Sequence, residues 1–191
     1  MTKLYAMDLR PFQDGSWRKD LDALPTDRKE RALACRKDDD GMRIACAGFL
    51  LQMALSEEGI GQPVFAKNQW GKPCLANRDD VHFSLSHSGT WAVCALSDTP
   101  VGVDIERPRN MDKVAKLFPD AKTDDDILRL WTAKEAYLKL LGCGLTVPLD
   151  RVSVQLGERL VLDGYALHEY TLEEYRICLC TADTKPTLII K

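Results

Sequence analysis

Apolar residues recur at helical spacing in two widely separated stretches, and each stretch is followed by a train of short strand-like segments. In residues 39–55 the positions Met42, Ala45, Cys46, Phe49, Leu50, Met53 and Ala54 recur every three or four residues, one buried stripe closed by Gly59 and Gly61. The second helix starts at Thr123, where Asp126 supplies a capping-box-like partner in place of the usual Glu or Gln. It runs to Leu141 and stops at Gly142-Cys143-Gly144. Residues 81–85, 91–96 and 101–105 follow the first helix as β-branched or aromatic runs separated by Gly, Ser and Pro, and 152–156, 159–162 and 176–180 follow the second. Helix then strands, stated twice, predicts an α+β fold and not a wound parallel sheet. Residues 91–100 and 175–186 echo one another: an aromatic, an apolar strand holding Cys, then a polar turn closed by Pro. The echo predicts two similar α+β halves, 1–100 and 101–191, with a ligand site between them.

Charge and thiol usage narrow the setting. Twenty-six Lys and Arg against 29 Asp and Glu leave a formal charge of −3, which gives no footprint of a general nucleic-acid binder. No apolar run approaches the roughly 20 residues of a membrane span, and Lys3, Asp8 and Arg10 interrupt the N-terminus where a signal peptide would be apolar. The seven cysteines are odd in number and scattered, and read as free thiols in a reducing compartment. His82, His87 and His168 supply no partner set for a zinc site. The expectation is a cytoplasmic protein, monomeric by default.

Four groups of residues carry chemistry. In Val101-Gly102-Val103-Asp104-Ile105-Glu106, strand alternation sends Asp104 and Glu106 to one face, where they repel unless solvated or shared by a cation, and Gly102 leaves room on that face. At 100° per residue, Ile127, Leu130, Trp131, Lys134, Leu138 and Leu141 share one stripe of the second helix, so Lys134 sits among apolar residues where an ammonium needs a partner. Glu135 and Lys139 flank that stripe four residues apart. Three carboxylates, Asp104, Glu106 and Glu135, with adjacent lysines suit Mg²⁺ holding a phosphate ester. Gly71-Lys72-Pro73 presents Lys72 on a turn, and Ser86, His87 and Ser88 offer donors from a loop, together fit for an anion. A Ser-His-carboxylate hydrolase triad is not supported, since adjacent Ser and His cannot easily bond and no Gly-x-Ser-x-Gly elbow is present. Arg28, Lys29, Arg31, Arg36, Lys37 and Arg43 form a mixed-charge run in which Arg28 and Arg31 share a helical face and can reach a second phosphate. A Mg²⁺-dependent phosphohydrolase or nuclease, and a non-catalytic binder of a phosphorylated ligand, use the same residues and stay open at this point.

The ordered set of motifs resembles the 4′-phosphopantetheinyl transferases of the surfactin-synthetase-activating (Sfp-like) type. It comprises Leu24-Pro25 with Arg28 and Arg31, Arg43 in a long helix, Gly71-Lys72-Pro73, residues 83–89, residues 101–106, and residues 131–139 running into Gly142-Cys143-Gly144-Leu145. The resemblance implies two similar α+β halves with coenzyme A between them. It implies transfer of 4′-phosphopantetheine from coenzyme A to a serine of an apo acyl or peptidyl carrier protein, with Mg²⁺, releasing 3′,5′-ADP. By the same resemblance Asp104, Glu106 and Glu135 are the Mg²⁺ ligands. Arg28, Arg31 and Arg43 meet the 3′-phosphate end and adenine region, and Lys72, Pro73, Ser86, His87 and Lys139 complete the coenzyme A contacts. Glu135 is the expected base, Lys139 stabilises or protonates the leaving phosphate, and His87 is a phosphate contact before it is a base. Two features depart from the family. The stretch between Glu106 and Trp131 is shorter than in the long-studied bacterial member, where it helps hold the carrier protein. Arg28 and Arg31 stand where Lys is common, and Arg grips phosphate bidentately. The helix after Asp112 and the loop after Gly142 are the expected carrier-facing surface.

Overall fold

A computed structural model describes residues 1–191 apart from 112, 113, 161 and 163, and apart from the side chain of Leu145. In chain order the elements are β1 (Lys3–Asp8), α1 (Thr26–Leu33), α2 (Asp38–Glu57), β2 (Phe65–Lys67), β3 (Pro73–Leu75), β4 (His82–Ser88), β5 (Trp91–Ser97), β6 (Val101–Glu106), α3 (Asp124–Leu141), β7 (Ala166–Leu172), β8 (Tyr175–Thr181) and β9 (Thr187–Ile190). One sheet has the order β4-β5-β1-β9, a second β6-β8-β7, and β2-β3 forms a separate hairpin. The expected mixed α+β class is the one observed.

Side-chain alternation sets the layers. Trp91, Val93 and Ala95 of β5 and Leu4 and Ala6 of β1 pack against Val101, Val103 and Ile105 of β6 and Tyr175, Ile177 and Leu179 of β8. The opposite faces of the same strands, Ala92, Cys94 and Leu96 with Tyr5, receive α2. Cys178 and Cys180 of β8 receive α3. β5 is therefore buried on both faces, and its run of seven residues has no exposed member. All seven cysteines are free thiols. No described helix is long and apolar enough to cross a membrane.

The long helices end where local chemistry dictates. Asp38, Asp39 and Asp40 occupy the first turn of α2, beside the positive end of its dipole. At α3 the capping box closes in both directions: Asp126 N donates to Thr123 Oγ1 at 3.1 Å, and Thr123 N donates to Asp126 Oδ2 at 3.1 Å. Gly142, at φ +66°, takes the left-handed conformation that ends α3. Lys134, placed by periodicity in the apolar stripe, is buried and solves its solvation locally. Its Nζ donates to Leu149 O at 3.1 Å and lies 5.1 Å from the centroid of the Phe118 ring.

Some expectations need correction. Residues 152–156 form no ladder strand: Pro148 opens a short turn over Leu149–Arg151, Val152 is buried, and Val154 and Leu156 cover the α3 side of the core as an irregular segment. Part of 159–162 lies outside the described residues, and Leu162 makes an isolated bridge with Tyr165. Leu141 leaves the stripe and is exposed. Past residue 112, itself outside the described residues, the segment forms a single 3-10 turn at Ala115–Leu117. The two echoed segments are β5 and β8, each an interior strand of its sheet. The division expected at residue 100 falls between β5 and β6, and β9 joins the first sheet, parallel to β1.

Candidate active site

The site is assembled where β4, β6 and α3 converge. β4 and β6 belong to different sheets, and serines at alternate positions of β4 connect them. Ser84 Oγ accepts from Val103 N at 3.1 Å, Ser86 Oγ donates to Asp104 Oδ1 at 2.7 Å, and Ser88 Oγ donates to Glu106 Oε2 at 2.9 Å. The period-two serines thus take over the pairing that a backbone ladder would give. On the other side, α3 lies directly on β6 at Gly102, where a Cβ would fall 1.9 Å from Ala136 O. The room left by Gly102 is filled by helix backbone, not by a ligand.

This contact brings Lys139, one turn beyond Ala136, to β6. Lys139 Nζ lies 2.7 Å from Asp104 Oδ1 and 2.9 Å from Ser86 Oγ. Asp104 is 5% exposed, and its Oδ2 is buried with no hydrogen-bond partner among the described residues. An orphaned carboxylate oxygen in that position is costly unless a cation or donor meets it. Glu135, one turn before Lys139, accepts no hydrogen bond from a described residue; burial and then the Asp104 charge push its carboxyl above the usual range, against the pull of Lys139. Burial and Asp104 likewise raise Glu106, which Ser88 and Arg109 partly offset. Among the described residues, no three His, Cys, Asp or Glu side chains are gathered tightly enough to enclose a metal ion as they stand. The donor set still fits one, because an unmet oxygen of Asp104 and two destabilised carboxylates are the groups a hard cation relieves.

Facing these acids is a cavity of about 430 Å³ lined by Arg28, Arg31, His87, Glu135 and Lys139, with Trp70 and Lys72 at its hairpin wall. A second cavity of about 310 Å³ shares Arg28, Arg31, Pro73 and Phe83 with the first. Arg28 is desolvated, which with the neighbouring Arg31 charge lowers its pKa; its Nη1 donates to Ile44 O at 3.1 Å. His87 is exposed at the cavity mouth, and partial desolvation of its ring with the Arg43 and Lys139 charges pulls its pKa down to about 4. With no anion bound, that shift favours the neutral imidazole, which can donate or accept one hydrogen bond. Arg43 does not line either cavity: its Nη1 donates to Gly89 O at 3.2 Å and it pairs with Asp40.

Lys72 lines the cavity, and its ammonium also meets backbone. Its Nζ donates to Val101 O at 3.2 Å and Leu140 O at 3.3 Å, and burial pulls its pKa down to about 8. Asn68 beside it shapes the hairpin tip, its Oδ1 accepting from Trp70 N and Lys72 N, both at 2.9 Å, while its Nδ2 donates to Gly142 O at 2.8 Å. Two side chains of the β2–β3 hairpin therefore cap carbonyls at the end of α3. Asn68→Asp keeps the acceptor that folds the tip and loses the donor to Gly142. We expect it to lower the thermal midpoint by about 2–4 °C, the effect of one lost hydrogen bond in a chain of this size. An unchanged midpoint would show that Asn68 serves the tip alone.

The profile of the 4′-phosphopantetheinyl transferase superfamily matches residues 100–180, the span from β6 to β8. The 4′-phosphopantetheinyl transferase psf-1 of Bacillus pumilus is 30% identical over 212 residues, covering 94% of this chain and 89% of the relative. The chain belongs to the 4′-phosphopantetheinyl transferase family. A 4′-phosphopantetheinyl transferase of Bacillus subtilis is 29% identical over 211 residues, with 94% of this chain and 92% of that protein covered. The L-aminoadipate-semialdehyde dehydrogenase-phosphopantetheinyl transferase of Homo sapiens is 27% identical over 178 residues, 71% of this chain and 58% of the relative. Within this family member, Asp104, Ser86, Lys139, Glu135, His87, Arg28 and Arg31 are brought to one cavity region, whereas Arg43 and the Lys72 ammonium are engaged with backbone carbonyls beside it. Sequence reasoning missed the structural use of Ser84, Ser88 and Asn68. The period-two serines of β4 were a usable signal; Asn68 left none.

Proposed function

We propose that this transferase moves 4′-phosphopantetheine from coenzyme A to a serine of an apo acyl or peptidyl carrier protein, in a Mg²⁺-dependent reaction that releases 3′,5′-ADP. The observation that carries this reading is the buried Oδ2 of Asp104, without a hydrogen-bond partner among the described residues, beside the Glu135 carboxylate and across a cavity from Arg28 and Arg31. Asp104, Glu106 and Glu135 would hold Mg²⁺, which supplies charge neutralisation on the diphosphate of coenzyme A. Arg28 and Arg31 bind the 3′-phosphate as a fork of charge-assisted donors. His87 donates one hydrogen bond to a phosphate oxygen. Lys72 and Pro73 shape the adenine-side wall, and Arg43 fixes the Gly89 turn and adds long-range positive charge.

Glu135 accepts the proton of the carrier serine as its oxygen bonds to the β-phosphorus, and the bond from that phosphorus to the oxygen of 3′,5′-ADP breaks. Lys139, held by Asp104 and Ser86, balances charge on the leaving phosphate. A group held by two fixed partners needs little reorganisation during the step, and positioning of this kind supplies most of the rate. The setting is cytoplasmic and the working unit a monomer of two related halves, 1–100 and 101–191. The segment after residue 112 and the turn after Gly142 meet the carrier protein.

Intact-mass spectrometry of an apo acyl carrier protein incubated with this protein, coenzyme A and Mg²⁺, beside a chelated control, tests the reading. The expected result is a gain of one phosphopantetheine mass, lost on chelation. Coenzyme A consumed with no gain on any of several apo carriers would replace the transferase by a phosphohydrolase.

A further inference from the structure

Gly48 lies in the interior of α2 on its buried side, where glycine costs about 1 kcal/mol relative to alanine. The reason for a glycine there stands on α1. A Cβ at Gly48 would fall 2.5 Å from Cδ of Arg28 and 2.8 Å from Cδ2 of Leu24. The stem of Arg28 therefore crosses α2 through the gap that a side chain at position 48 would fill. It crosses one turn after Ile44, whose carbonyl oxygen anchors Arg28 Nη1 at 3.1 Å. That carbonyl is no counter-charge. The nearest carboxylate along the chain, Asp27, pairs instead with Lys67 at 2.8 Å. Arg28 is left as a desolvated guanidinium with Arg31 beside it, on the wall shared by the two cavities. Two adjacent arginines pointed into one space suit a dianionic phosphate monoester.

We propose that Gly48 is a specificity-positioning residue: its missing side chain lets Arg28 lie across α2, and so lets this enzyme tell a ligand carrying a phosphate monoester from the same ligand without it. The inference rests on the reading of Arg28 and Arg31 as 3′-phosphate contacts. A methyl at position 48 meets the middle of a flexible side chain, so the guanidinium moves off Ile44 O while α2, which alanine favours, persists.

Dissociation constants for coenzyme A and 3′-dephospho-coenzyme A, measured by calorimetry on the full chain, decide it for the parent, Gly48→Ala, Arg28→Ala and the double variant. Gly48→Ala is expected to cut the preference for coenzyme A about tenfold, the loss of one charge-assisted hydrogen bond, with the affinity for the dephospho form within twofold of the parent. Arg28→Ala cuts the preference by a similar factor, and the double variant shows no smaller preference than Arg28→Ala alone, because both act through one side chain. A Gly48→Ala protein that keeps its preference while Arg28→Ala loses it would overturn the role of Gly48 and leave the phosphate reading standing. Preference retained by Arg28→Ala and Arg31→Ala alike would remove the phosphate reading, and this inference with it. If Gly48→Ala does not fold, recovery of the fold in the double variant supports the Arg28 contact, and recovery only when Leu24→Ala is paired with Gly48→Ala assigns the clash to Leu24 and overturns the inference.

Discussion

Glu135→Gln is expected to slow carrier-protein modification by about 10²- to 10⁴-fold, the range a positioned general base contributes, with the fold intact. The side chain lines the cavity and accepts no hydrogen bond from a described residue, so its removal as an acid breaks nothing structural. Its raised pKa shows that the folded state disfavours the carboxylate, through burial and the charges of Asp104 and Glu106. A neutral amide lifts that repulsion, and the thermal midpoint of Glu135→Gln is expected at or slightly above that of the parent. Loss of activity together with unchanged or higher stability is the signature of a group kept for chemistry. Single-turnover transfer measured by mass spectrometry, paired with a melting curve, reads both. A well-folded variant that transfers at the parent rate would take the base role from Glu135.

Gly102→Ala is expected to act the other way, through the fold. The added methyl would meet Ala136 O at 1.9 Å and Leu140 N at 2.4 Å, and both are helix backbone that cannot rotate aside. α3 must lift from β6 or β6 must bend. Overpacking against backbone costs about 3 kcal/mol, equivalent to a fall of about 6–12 °C in a chain of this length. The same displacement separates Lys139 from Asp104, now 2.7 Å apart, so activity should fall with stability. A midpoint within 2 °C of the parent in a melting curve would mean that the helix-to-strand contact gives way without cost.

The parts of this architecture that local chemistry encodes were readable in the chain. The alternation at Asp104 and Glu106 places them on the α3 side of β6, and Thr123 with Asp126 marks the start of α3 to the residue. The stripe around Ile127 and Leu138 located the helix face, and the periodicity in 39–55 found α2 within two residues at each end. Non-local pairing was not readable. β1 and β9 carry ordinary apolar character, and nothing in either names the other as neighbour. Residues 152–156 alternate like a strand because an irregular segment laid on a core also buries every second side chain. Part of the site was hidden for a related reason. Ser86 and Ser88 looked like free donors, and only tertiary contact shows their protons committed to Asp104 and Glu106. The Lys72 ammonium likewise looked uncommitted, and only tertiary contact shows it donating to the carbonyls that end α3 while the side chain lines the cavity.

β9 pairs in parallel with β1 from more than 180 residues away, with Lys3 opposite Thr187 and Ala6 opposite Ile190. The sheet that carries β4 therefore gains its last strand only after the rest of this chain, α3 and β8 included, has been synthesised. Closure of so long a loop carries a large entropic cost before any contact repays it, which slows folding relative to a chain of local hairpins. On the ribosome, β1 waits with one edge unpaired while the second sheet forms, an interval in which that edge is open to other strands. The order of synthesis thus makes the acidic strand and its helix available before the sheet they will serve is complete.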